Sequence, residues 1–154
     1  MEHSIEKVYN KEKKKHNLPD FNKLDFEFEI SIIDDGVFII REVRRKMSEK
    51  IETFTKLLED VLQPETTVAD LHECNFFGEE EKEKIFKLYS KLMRINRKSL
   101  CLGLNPDDKK EAEFINNVFG EWENIKKDIT HVLRKMKEAW EKEAETKENP
   151  QYFG

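Results

Sequence analysis

The sequence predicts an all-α protein, an antiparallel bundle of three long helices preceded by an N-terminal segment that is either a short helix or a small β-hairpin. Three observations predict it. Apolar residues recur at steps of three and four over three long stretches, the spacing of one face of an α-helix. Only five Gly and four Pro occur in 154 residues, so little punctuates the elements. Charged residues make up 40% and apolar residues 37%, a balance that suits long helices with one buried stripe and a wide solvated face. The length fits a single domain that buries a core of its own.

Residues 1–17 are charged, with Ile5, Val8 and Tyr9 as their sizeable apolar side chains and Lys11, Lys13, Lys14, Lys15 and His16 making them locally basic. Short isolated helices are marginal in water, so a mobile basic arm is expected here, ahead of a bundle domain over 18–147. In the stretch LDFEFEISI, residues 24–32, Phe26, Phe28, Ile30 and Ile32 alternate as a strand would, and Asp34-Asp35-Gly36 would turn it into a hairpin. The same region also carries helix signals. Pro19-Asp20 would open a helix through Phe21, Leu24 and Phe28, and Ser31-x-x-Asp34 has the form of a capping box.

The first long helix is expected over residues 37–62, where Ile40, Val43, Met47, Ile51, Phe54, Leu58 and Val61 form the stripe and Gln63-Pro64 ends it. Thr67-x-x-Asp70 fits a capping box for a short turn, VADLHEC. The second long helix opens on Glu79-Glu80-Glu81, acids set against the positive end of the helix dipole. Its stripe is Ile85, Leu88, Tyr89, Leu92 and Met93, and it fades over 99–103. The third has Asn105 as N-cap, Pro106 in the first helical position, and Asp107 and Asp108 in the first turn. Ile115, Val118, Trp122, Ile125, Ile129, Val132, Met136 and Ala139 then step as a coiled-coil-like heptad seam. Run to residue 147, this helix is about 60 Å long at ~1.5 Å per residue, against roughly 39 Å for the first. Its C-terminal part should therefore overhang, solvated, covered by residues 21–33, or buried in a partner. A frayed tail is expected over 148–154.

A net charge of −5 excludes a wholesale nucleic-acid coat, so any polyanion site is a local patch. Cys74 and Cys101 are too few for a disulfide framework, and no apolar run is long enough to span a membrane or act as a leader. A reducing, cytoplasmic setting without membrane contact is the expectation.

Five of the six arginines fall in two clusters: Arg41, Arg44 and Arg45 with Lys46, and Arg94 and Arg97 with Lys98. An antiparallel pairing of the first two long helices would bring these to one end of the bundle. There their planar guanidinium forks would suit the phosphates of RNA or another polyanion. Alternatively, Glu42, Glu49, Asp107 and Asp108 neutralise them. In the overhang, Leu133, Met136 and Trp140 would leave an apolar patch, the mark of a partner surface or of a homo-oligomer.

Glutamate pairs at i, i+3 (Glu49/Glu52, Glu80/Glu83, Glu138/Glu141, Glu145/Glu148) resemble in outline the Mg²⁺-binding pairs of all-α nucleotide pyrophosphohydrolases. Chance placement of so many glutamates produces as many pairs, and the family's ExxD form is missing. His72 and Cys74, with Cys101 or His131, lack the spacing of a zinc site. No motif ties the chain to a family, a catalytic group or a cofactor. The leading expectation is therefore a non-catalytic helical interaction protein. It would self-associate or bind a protein partner through the C-terminal half of its longest helix. A nucleic-acid or ribonucleoprotein-binding module is the alternative, and a Mg-dependent pyrophosphohydrolase a distant third.

Overall fold

A computed structural model of the chain describes residues 4–145. These residues form six α-helices: α1 (Ile5–His16), α2 (Phe21–Phe28), α3 (Ile39–Leu62), α4 (Val68–Cys74), α5 (Glu79–Leu104) and α6 (Asp108–Glu145). A 3₁₀ turn covers Ile30–Ile32, and no strand occurs among the described residues. The tail expected to fray, 148–154, lies outside them, as does Glu148 of the last glutamate pair. No described helix is long and apolar enough to cross a membrane.

The chain divides into two compact units, Met1–Glu52 with Met93–Glu123, and Thr53–Leu92 with Asn124–Gly154. The three long helices each contribute residues to both. Nearly every stripe residue expected from the spacing is buried, including Ile40, Val43, Met47 and Ile51 of α3 and the α6 seam from Ile115 to Ala139. Each such side chain stabilises by about 1.5–3 kcal/mol, so these stripes carry most of what holds each unit together.

In the first unit, residues 5–16 of the expected arm, 1–17, form the helix α1. Its anchor is Tyr9, fully buried, with its ring 5.6 Å from that of Phe21. The phenol hydroxyl donates to the Pro19 carbonyl, 2.5 Å away, and burial beside Asp20 pushes its pKa far above the usual tyrosine range. Asn17 closes α1 in the left-handed conformation that asparagine tolerates well. Tyr9→Phe strips the Pro19 carbonyl of its donor and is expected to cost about 1–2 kcal/mol. Urea denaturation followed by circular dichroism checks this.

Residues 21–28 resolve as helix because burial follows the helical spacing. Phe21, Leu24 and Phe28 are buried, while Phe26 and Ile32, which a strand would place beside Phe28 and Ile30, are exposed. Gly36 is not a hairpin turn: among the described residues no glycine has positive φ. Its role is close approach, since a Cβ there would lie 3.1 Å from Val8 Cγ1. Phe28 packs on Trp122 of α6 with ring centroids 4.8 Å apart, and the Trp122 indole donates to Glu27 Oε2 at 2.7 Å.

The connection before α6 lies later than the sequence signals place it. The Asn105 amide still donates to Cys101 O at 3.0 Å, so Asn105 closes α5. Asp107 is the cap of α6, its carboxylate accepting from the amides of Lys109 and Lys110. Asp competes equally with Asn for this role, and here it holds two otherwise unpaired amides.

In the second unit α4 is capped as expected, Thr67 Oγ1 accepting from the Asp70 amide at 3.2 Å. Its His72 side chain is buried against α6, where Nε2 donates to the Ala139 carbonyl at 2.9 Å. Lys135 of α6 bonds Glu81 of α5 and reaches the Phe76 carbonyl at 3.4 Å. The Tyr89 hydroxyl donates to Glu59 of α3 at 3.2 Å.

Candidate functional site

The first unit brings α3, the end of α5 and the start of α6 together at Arg44. Its side chain is 5% exposed, with Nε donating to Glu111 Oε1 at 3.0 Å and Nη1 to Ser99 Oγ at 3.1 Å. Ser48 donates in turn to Ser99. Arg41 faces the other Glu111 oxygen at 3.6 Å and stacks its guanidinium 4.4 Å from the Phe38 ring centroid. Glu111 is fully buried, and burial pushes its carboxyl above the usual range, with Arg44 and then Arg41 offsetting part of that. Arg41 Nε, Arg44 Nη2 and Glu111 Oε2 are buried without a hydrogen-bond partner.

The remaining members of the first cluster also face carboxylates, Arg45 with Glu42 at 2.6 Å and Lys46 with Glu49 at 3.7 Å. Arg94, Arg97 and Lys98 stay exposed on α5, Arg97 donating to Asn96. The two clusters thus lie on helices joined through the Arg44–Ser99 bond, yet the first is committed to acids of its own chain. Glu111 was missed by the sequence reading. Its signal was position, because it stands one four-residue step of the seam before Ile115, where a buried residue is required.

The three residues singled out on the far part of α6 separate. Met136 is buried at 8% exposure, whereas Leu133 and Trp140 are 38% and 41% exposed. Trp140 stacks on His72 at 4.5 Å and donates to Glu73 Oε2 at 2.9 Å, so α4 covers this stretch. Of residues 21–33, the alternative cover, Phe28 and Glu27 meet Trp122. The patch expected from Leu133, Met136 and Trp140 is therefore reduced to the rims of two half-covered side chains.

A different face of the same α6 segment borders a groove of about 530 Å³ against α5. Lys84, Ile85, Lys87, Leu88 and Lys91 line one side, and Lys127, Asp128, His131 and Val132 the other, with Glu81 at one end. Helical spacing explains the arrangement. Ile85, Leu88 and Val132 belong to the buried stripes and lie at the base, while Lys84, Lys87 and Lys91, each one position before an α5 stripe residue, and Lys127 of α6 stand at the rim. The Glu81 carboxyl is held below its usual range, chiefly by its hydrogen bond from Lys135. Its charge is thereby matched in place. What remains is an apolar trough with a rim richer in cations than in acids.

Among the described residues no group of three or more His, Cys, Asp or Glu side chains is placed to hold a metal ion. His72 is committed to Ala139 and the rings of Phe76 and Trp140, Cys74 is buried and Cys101 is exposed. Compared with family models, with curated proteins and with solved structures, the chain gives no significant match.

Proposed function

We propose that this chain is a non-catalytic helical interaction protein that holds a protein partner along the C-terminal half of α6, in the groove α6 forms with α5. The observation that carries the reading is the groove of about 530 Å³ between α5 and α6, lined by four lysines over the buried stripe residues Ile85, Leu88 and Val132. Apolar surface accessible in a concave site favours association, because covering it removes it from water at about 25 cal/mol per Å². The self-associating form of this reading uses the same groove with a second copy as occupant. Nucleic-acid binding is supported less, since Arg41, Arg44, Arg45 and Lys46 each face a carboxylate, and of the two arginine clusters it is Arg94, Arg97 and Lys98 that stay exposed.

Site-specific photocrosslinking in the native cell tests the proposal without relying on disruptive substitutions. A photoreactive side chain at Lys87, Lys127 or Asp128, all exposed groove positions, is expected to capture a discrete protein adduct. The same group at exposed Lys109 or Glu113 should not. Adducts equal at both sets of positions, or absent from the groove set, would remove the proposal.

A further inference from the structure

We infer that the occupant of the α5/α6 groove is an acidic amphipathic helix of a partner protein, about three turns long; this rests on the groove being the partner site. Charge complementarity sets the sign. The rim carries Lys84, Lys87, Lys91 and Lys127 with His131, against Glu81 and Asp128. Glu81 is bonded to Lys135, and Asp128 is the other acid among the lining residues. A basic rim on a chain of net charge −5 is a local inversion, and it steers acidic partners to this face.

Shape sets the class. The α5 wall runs from Glu81 to Lys91, about 15 Å at ~1.5 Å per residue, the length of three helical turns. A trough between two helices accepts a third that lays apolar residues at i, i+3 or i+4 and i+7 onto the floor. Strand addition would require a sheet edge, and the described residues contain none. Single-stranded nucleic acid would require aromatic platforms, and no Phe, Tyr or Trp lines the groove. With lysine rather than arginine at the rim, the acids of the occupant are held by attraction to mobile point charges and not by bidentate forks.

Selection from a random displayed peptide library, long enough for at least three helical turns, tests this on the full chain. Enriched peptides are expected to combine apolar residues at helical spacing with Asp or Glu on the flanks. Their affinity should fall on the order of tenfold when salt is raised well above physiological strength, because screening removes the rim contribution. The variant Lys84→Glu/Lys87→Glu/Lys127→Glu alters only exposed residues, so its fold is retained. It should weaken acidic peptides at least about tenfold and favour basic ones. Enrichment of neutral or basic peptides that still compete for photocrosslinking at Lys87 would overturn this inference while leaving the groove reading intact. A selection with no groove-directed peptides, together with absent groove adducts, would overturn both. A dimer in sedimentation that the triple reversal dissociates would place a second copy in the groove and overturn the acidic-helix assignment.

Discussion

Arg44→Met is expected to lower the stability of the protein by about 3–5 kcal/mol near neutral pH, because it leaves the Glu111 carboxylate buried without its closest cation. Glu111 is fully buried, and Arg44 provides its shortest ion-pair contact, with Arg41 at 3.6 Å the other. The pH dependence has a definite sign. Burial already raises the Glu111 carboxyl above its ordinary value, and loss of Arg44, which lowers it, raises it further. A carboxyl raised in the folded state contributes stability that is present below its unfolded value and lost as pH rises through its folded value. The deficit of Arg44→Met relative to the parent should therefore be smallest where Glu111 is protonated in both folded proteins, and grow once pH rises past the parent's folded value, which already lies above the ordinary carboxyl range. The double variant Arg44→Met/Glu111→Leu removes both charges and two of the three buried polar atoms that lack partners, Arg44 Nη2 and Glu111 Oε2. It is expected to regain the loss, at parity with the parent or about 1–4 kcal/mol above it. Urea denaturation of the three proteins across pH measures all of this. A single variant that loses nothing at neutral pH would show that Arg44 is not what compensates Glu111.

How far the fold could be foreseen depended on how many residues share one period. The α6 seam was legible because eight apolar residues from Ile115 to Ala139 repeat one spacing, and all eight are buried. The N-terminal third offered no such run. Phe28 and Ile30 fit a strand and a helix equally well, and the choice falls to Trp122, ninety-odd residues away in sequence, whose ring and indole N–H fix Phe28 and Glu27 on one side of α2. Helix α1 was hidden for a similar reason. Its one fully buried large residue, Tyr9, depends on the Pro19 carbonyl, a partner that no local pattern announces.

The same distinction divides the sites. Both arginine clusters stood out as composition, but composition does not show that Glu111 lies between Arg41 and Arg44. A charged residue on a heptad seam is a better signal than an arginine count, because a seam position is buried and a buried charge requires a partner. The groove was not legible at all. Lys84, Lys87 and Lys91 look like the solvated face of α5, and they become a rim only once α6 stands opposite.

Trp122→Ala is expected to destabilise the protein by about 3–5 kcal/mol, the range for deleting a buried tryptophan side chain. The side chain is 2% exposed, its ring meets Phe28, Lys50 Nζ lies 5.6 Å from its centroid, and its N–H serves Glu27. Truncation opens a cavity beneath α2 and takes a donor from a buried carboxylate, so two separable costs coincide. Trp122→Phe separates them. It retains most of the packing against Phe28 but not the donor, and is expected to cost about 1–3 kcal/mol, the penalty for one lost hydrogen bond to a buried charged group. Glu27→Gln in the Trp122→Phe background should recover part of that, since the amide needs less compensation than the carboxylate. Trp140 remains in these variants as a fluorescence probe within the second unit, so the unfolding of each protein stays observable without its first tryptophan. If Trp122→Phe is as damaging as Trp122→Ala, the N–H bond to Glu27 dominates; if it costs nothing, packing alone fixes α2 against α6.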